Sequence, residues 1–187
     1  MPLELVFYGH PALRTKGKRI EKFDSSLATF AGEMLDLMHA HDGCGLAAHQ
    51  VGRPLEIAVI DPTVSRKERP SRAWRNGEDL PIESLSPLIL INPTITPIGT
   101  KISYQSEGCL SIPGLIEKVS RPARVQISYQ TLQGEYQEIQ AEGLLARAAM
   151  HEVDHLHGIL FIDHLSAPEL QEYQELLTTL ARENKLE

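Results

Sequence analysis

The sequence predicts an α+β fold: short mixed or antiparallel strands packed around a central buried helix, with a further helix at the C-terminus. Three features carry that reading. Apolar residues fall at helical spacing between positions 27 and 38, they alternate with polar ones between 125 and 141, and "LLARAAMHEVDHLHG" (144–158) shows alanine and leucine on more than one face. The chain has 187 residues, 42% hydrophobic and 23% charged, with no internal repeat or low-complexity tract, so one domain spanning 1–187 is expected.

Taken in order, Leu3 to Tyr8 reads as a short strand that Gly9-His10-Pro11 breaks. Asp24 or Ser25 can cap a helix whose apolar stripe is Leu27, Phe30, Met34, Leu37 and Met38, and Gly43 can end it. Leu55–Ile60 and Leu88–Ile91 are apolar runs bounded by proline, as buried strands are. Between them, 61–87 is rich in charge, proline and serine, and reads as a surface insertion loop in which Trp74 and the arginines offer a minor docking reading. Val125, Ile127 and Tyr129, the Leu132-Gln133-Gly134 turn and the alternating 136–141 run make a β-hairpin. The buried helix follows, closed by Gly158, and a last amphipathic helix runs from about Pro168 to Asn184.

Composition excludes several function classes. A net charge of −7 gives no basic field for nucleic-acid phosphates or anionic lipid. No apolar run reaches the length of a membrane span and the first residues lack a secretory pattern, so a soluble intracellular protein is expected. Two cysteines, Cys44 and Cys109, are too few for a disulfide scaffold and read as thiols.

The buried helix contains His151-Glu152-Val153-Asp154-His155, an HExxH pattern. At about 100° per residue the two histidines lie about 40° apart on one face, with Glu152 on the adjacent flank. Two imidazoles can hold a divalent metal, and an unligated carboxylate beside it can take a proton from water. Five-residue matches arise by chance on solvated helices, but this helix is apolar on several sides. Burying two histidines and two acids without partners is costly, which favours the metal over ion-paired core residues. A third ligand is then needed. The pattern with a third histidine six residues on fails because that position is Phe161, and Glu169, Glu172 and Glu175 fall on the charged face of the last helix. Cys109 in "EGCLS" (107–111) lies between a strand-like segment and a Pro-Gly turn; its thiolate would complete three ligands and leave one position open. Alone, Cys109 would read as a small buried hydrophobe.

"GCGLAAHQ" (43–50), "EGCLS" and "HEVDHLHG" (151–158), in that order, resemble the three signature motifs of the peptide deformylases. "GHPALR", "INP" and "GLLARAAMHEVDHLHGILFIDHLS" extend the resemblance over nearly the whole chain. It implies an α+β catalytic domain with Cys109, His151 and His155 as metal ligands. It further implies Fe(II) as the usual ion, with Zn, Ni or Co as substitutes. The implied reaction is removal of the N-formyl group from the formyl-methionine end of nascent polypeptides. Metal-bound water attacks the formyl carbon, Glu152 acts as general base and then acid, and the Gln50 amide and the Leu110 backbone N–H stabilise the charge that develops on oxygen. Gly43, Cys44, Gly45 and Leu46 would pair with the extended peptide, beside Glu107 and Gly108. Leu144 and Ala148 would line the methionine pocket. Asp154 can pair with Arg121 or Arg124 behind the ligands, or form a helix-surface ion pair.

The resemblance implies formylated nascent peptides as partners, transient ribosome contact, and a cytoplasmic or organellar location with no membrane or nucleic-acid reading role. Residues 168–187 carry more acids than bases, unlike the basic ribosome-docking helix of some members. Cys44, Met150 and Ile116 replace an aliphatic, a glutamine and an arginine of the commonest pattern, changes that bear on substrate preference and leave the ligand set intact. The rival readings are a metallopeptidase on the same HExxH helix and an inactive or structural metal module with a fourth protein ligand.

Overall fold

A computed structural model describes residues 2–64 and 70–184. Its helices are α1 (Ser25–Ala40), α2 (Leu144–Leu156), α3 (Ala167–Glu172) and α4 (Gln174–Glu183). Its strands are β1 (Gly45–Ala47), β2 (Ile57–Ile60), β3 (Ser71–Arg75), β4 (Glu78–Leu80), β5 (Leu88–Pro97), β6 (Ile102–Cys109), β7 (Ile112–Pro122), β8 (Arg124–Gln130) and β9 (Tyr136–Gly143). Seven of them form one sheet in the order β1-β2-β5-β8-β9-β3-β4, and β6 and β7 form a separate two-stranded sheet. The named pairs are antiparallel; one isolated bridge, Lys18 to Leu55, is parallel.

Apolar residues gather in separate clusters, and α2 enters two of them, with Leu156 packed on Ala47 and Ala58 and its earlier turns on the large sheet. Leu145, Ala146, Ala149 and Met150 of α2 pack on Val125, Ile127, Ile139 and Ala141 of the large sheet. Phe30, Met34 and Met38 of α1 cover Leu46, Ile57 and Val59. Ile112, Leu115 and Val119 of β7 pack with Phe161 and Leu177. Every α2 residue except Asp154 is buried, so the helix is a central post between the sheet and the β6–β7 hairpin.

Asp24 caps α1, accepting from the Ser26 and Leu27 N–H groups, and Gly158 takes a left-handed conformation (φ 74°) just past α2, both as expected. Other expectations are corrected. Leu3–Tyr8 joins no sheet: its backbone bonds go singly, from Val6 to the Gln50 carbonyl and from Tyr8, already in a turn, to that of Ser111. The last helix is two, α3 and α4, because Tyr173 at their junction leaves helical geometry (φ −102°, ψ 7°). Segment 61–87 is not simply a loop. Residues 65–69 lie outside the described residues, but β3 and β4 extend the large sheet at β9, and Ile82–Leu85 is a 3₁₀ turn with Ile82 and Leu85 buried. Charged side chains masked the strand signal: the Trp74 ring is covered by Arg72 (4.8 Å) and Arg124 (4.4 Å), so the tryptophan is held by cation–π contacts within the fold.

The same segment also serves α2. Gly143, in a conformation that favours glycine (φ 74°), brings the helix start against Pro70, and Ser71 Oγ accepts the Leu145 N–H at 3.0 Å.

Candidate active site

Three elements converge on one point. From α2 come His151, Glu152 and His155; from the end of β6 comes Cys109; from the 3₁₀ turn after β1 comes Gln50. A ligand atom from each of Cys109, His151 and His155 lies within 4.8 Å of the others. Cys109 Sγ is 3.3 Å from His155 Nε2 and accepts from Gln50 Nε2 at 3.4 Å. The glutamine is fixed from behind, since its Oε1 accepts the Ala47 N–H at 2.8 Å. That bond decides which end of the amide faces the sulfur: the donor end does.

Glu107, two residues before Cys109, sets the orientation of His151. Its carboxylate faces His151 Nδ1 at 3.2 Å and accepts Arg121 Nε and Nη2 at 3.0 and 2.9 Å and Arg147 Nη1 at 2.6 Å. With Nδ1–H given to the carboxylate, the His151 Nε2 lone pair is left for the centre. Burial acts to raise the Glu107 carboxyl, but the His151 and Arg121 hydrogen bonds outweigh it and hold it well below the usual carboxylate range. Behind this layer Asp154 accepts Arg121 Nη1 at 2.5 Å and lies 2.7 Å from His164 Nε2. Of the two partners expected for Asp154, Arg121 is the one it takes.

Glu152 is the odd member. It is buried, and its Oε2 has no hydrogen-bond partner among the described residues. Burial pushes its carboxyl up to about 7, against the pull of the His151 ring and with the push of the Glu107 charge. An acid with that balance suits proton transfer near neutrality. Its room depends on Gly45: a Cβ there would come within 2.9 Å of the Glu152 Cδ.

A cleft of about 330 Å³ opens over this centre. Of the expected substrate contacts, Gly43, Cys44, Gly45, Gly108, Leu144 and Ala148 line it, as do Leu110 and Ile116. Leu46 does not; its side chain is fully buried under α1, leaving only its backbone near the cleft. Glu107 lines the floor, but its carboxylate is occupied by the two arginines and His151, so it organises the site instead of presenting a free polar group. Met150, one of the departures noted above, points into the core against the large sheet.

Sequence reading missed Arg147, His164 and His49. Arg147 is the lone cation in an apolar helix, one turn before His151, and that isolation was the available signal. His164 offered only chain distance. His49 is fully buried with Nε2 on the Thr15 carbonyl at 3.0 Å, and burial lowers it to about 4.

The donor set fits a divalent metal. One thiolate and two imidazoles meet, one imidazole is oriented by a carboxylate, and an unpartnered carboxylate oxygen stands beside them. A family model described as polypeptide deformylase matches residues 2–171. The chain belongs to the polypeptide deformylase family. Curated peptide deformylases from Opitutus terrae (41% identical, covering 88% of this chain and 85% of that protein) and Methylacidiphilum infernorum (42%, covering 97% and 94%) are similar along most of their length. A plant peptide deformylase crystal structure superposes with a TM-score of 0.83 at 36% identity, covering 98% of this chain and 91% of that one. The enzyme from Synechococcus elongatus, solved with actinonin, gives 0.76 at 35%, covering 100% and 89%. Deformylases are metal-dependent hydrolases that remove the formyl group from nascent peptides, and this is the activity that membership assigns to the chain. No helix among the described residues is long and apolar enough to cross a membrane.

Proposed function

We propose that residues 1–187 act as one catalytic domain in which Cys109, His151 and His155 hold Fe(II), with Zn, Ni or Co able to substitute. The observation that carries this is the convergence of their three ligand atoms within 4.8 Å beside a buried, unpartnered Glu152 oxygen. When bound, such an ion supplies Lewis acidity and makes water acidic enough to react at neutral pH.

The chain's own groups do the rest. Glu152 takes the proton of the attacking water as its oxygen bonds to the formyl carbon. It then delivers that proton to the nitrogen as the C–N bond breaks, so that formate and a free amino terminus leave. The Gln50 amide and the Leu110 backbone N–H donate to the formyl oxygen as it gains charge. Gly43, Cys44, Gly45 and Gly108 offer low walls against which an extended peptide can lie, and Leu144 and Ala148 form the apolar wall for methionine. The reading includes a cytoplasmic location and a transient encounter with the ribosome. No route through a basic C-terminal helix is proposed, because 168–187 is acidic.

The test is formate release by the full chain, purified anaerobically with Fe(II), from formyl-Met peptides beside unformylated controls. Glu152→Ala should keep the metal and lose turnover by about 10²–10⁴-fold. Cleavage of the controls at an equal rate would move the assignment to a peptidase. Retained turnover in Glu152→Ala would remove the glutamate as proton carrier.

A further inference from the structure

Apart from the three ligands, the most heavily bonded side chain near the centre is Arg147, which also lines the cleft. It sits on α2 one turn before His151 and is 4% exposed. Its guanidinium reaches both strands of the β6–β7 hairpin. Nη1 donates to Glu107 Oε1 (2.6 Å), to the Val119 carbonyl on β7 (3.0 Å) and to the Gln105 carbonyl on β6 (3.4 Å). Nη2 donates to the Ser103 carbonyl (2.8 Å) and to its hydroxyl (3.3 Å).

Among the described residues β6 and β7 pair in a sheet only with each other, so no strand ladder fixes this hairpin to α2. Yet Cys109 stands at the end of β6, and His151 and His155 stand on α2. The spacing between sulfur and imidazoles therefore depends on what crosses from helix to hairpin. Apolar packing fixes distance loosely, whereas a planar fork of donors fixes it in direction as well.

We infer that Arg147 is a positioning residue of the metal centre: its buried guanidinium sets the β6–β7 hairpin against α2 and steadies Glu107, which orients His151. The inference rests on the proposed ligand assignment. Arg121, itself on β7, shares Glu107 and reaches Asp154 on α2, so it also crosses from hairpin to helix, but through side chains only and without bonding the hairpin carbonyls. Arg147 alone of the two joins carboxylate and hairpin backbone.

The experiment uses the full chain loaded with Zn(II) or Co(II), comparing the parent with Arg147→Met, Arg147→Lys, Glu107→Gln and the Arg147→Met/Glu107→Gln double variant. Rates of Zn(II) loss to a chelator, Co(II) absorption bands, and kcat and KM for a formyl-Met peptide are read for each. Loss of an outer partner of a metal ligand costs about 10–100-fold in metal affinity or activity. Arg147→Met should therefore release Zn(II) about 10–100-fold faster and shift the Co(II) bands. Its kcat should fall while KM stays within about twofold. The double variant should be worse than either single one by less than the product of their effects, because Arg147 and Glu107 share the path to His151 while Arg147 also grips the hairpin carbonyls.

Arg147→Lys keeps the charge but not the planar fork, and should recover part of the grip. If Arg147→Met does not fold, Arg147→Lys decides the matter, with Zn(II) loss about tenfold faster expected. A folded variant with parental Zn(II) loss and Co(II) bands overturns the inference, as does full multiplication of the two single effects. A parent chain that binds neither ion overturns the ligand assignment and this inference together, whereas a metal-binding parent matched by its Arg147 variants overturns only the brace.

Discussion

At the scale of single residues, the centre is defined as much by atoms left out as by those supplied. Gly45 faces the Glu152 carboxylate so closely that a methyl group would displace it. Gly45→Ala should cost about 1–3 kcal/mol of stability in chemical unfolding, and it should lower kcat even with metal bound, because the carboxylate must swing away from its place beside His151. Gln50 makes the converse case. Its carbonyl end is fixed by the Ala47 N–H and its amide end points at the Cys109 sulfur, so under the proposed mechanism the donor is aimed before the reaction starts. Gln50→Ala should reduce kcat by about 10²–10³-fold in a formate-release assay, with the metal content unchanged. Cys109, His151, His155, Glu152 and Gln50, which the structure brings together, stood out in the sequence, the first four as reactive types in short motifs and Gln50 through the family resemblance. Arg147 and His164 did not, because their partners lie on other elements and no local spacing announces them.

At the scale of elements, the segment between β2 and β5 does more than cover surface. Asp61, at the end of β2, binds its neighbourhood together, accepting the Ser86 and Thr63 hydroxyls (both 2.6 Å) and the Thr63 N–H (3.0 Å) while facing His39 Nε2 at 3.0 Å. Burial acts to raise its carboxyl, but these hydrogen bonds outweigh it and bring the pKa down to about 2 from 3.8. A carboxyl depressed in the folded state binds fewer protons there than in the unfolded chain, so its stabilisation is present above about pH 4 and is lost as pH falls through about 2. Asp61→Asn should flatten the fall in unfolding free energy across that window, measured by denaturant titration at successive pH values. A second contribution comes from Ser71, whose hydroxyl accepts the Leu145 N–H at the start of α2. Ser71→Ala should destabilise the chain by about 1 kcal/mol in the same titration. The amphipathic α1, the β8–β9 hairpin and the buried α2 were readable because each repeats a period over enough residues to stand out. β1, β3 and β4 are three to five residues long, and the last two are charged, so their identity as strands comes from neighbours in the sheet, not from their own pattern.

At the scale of the whole molecule, the site is the place where separately packed parts meet. The large sheet packs one cluster with α2 and another with α1, while the β6–β7 hairpin builds its own with Phe161 and Leu177. An ion shared by Cys109 on the hairpin and the histidines on α2 would bind these parts only in their native arrangement, since the unfolded chain holds the ligands far apart. Ligation is then coupled to the stability of the fold. At an ion concentration 100 times the dissociation constant, the native state gains about 2.7 kcal/mol. For a chain of this size roughly 2–4 °C of Tm follows each kcal/mol, so loading the chelator-stripped chain with Zn(II) should raise Tm by about 5–11 °C. Cys109→Ser should lose most of that rise while a substitution on α1 such as Asp36→Ala keeps it, because only the first cuts the tie between hairpin and helix. A rise of the same size in Cys109→Ser would mean that the histidines alone hold the ion and that the hairpin stands where it does without it.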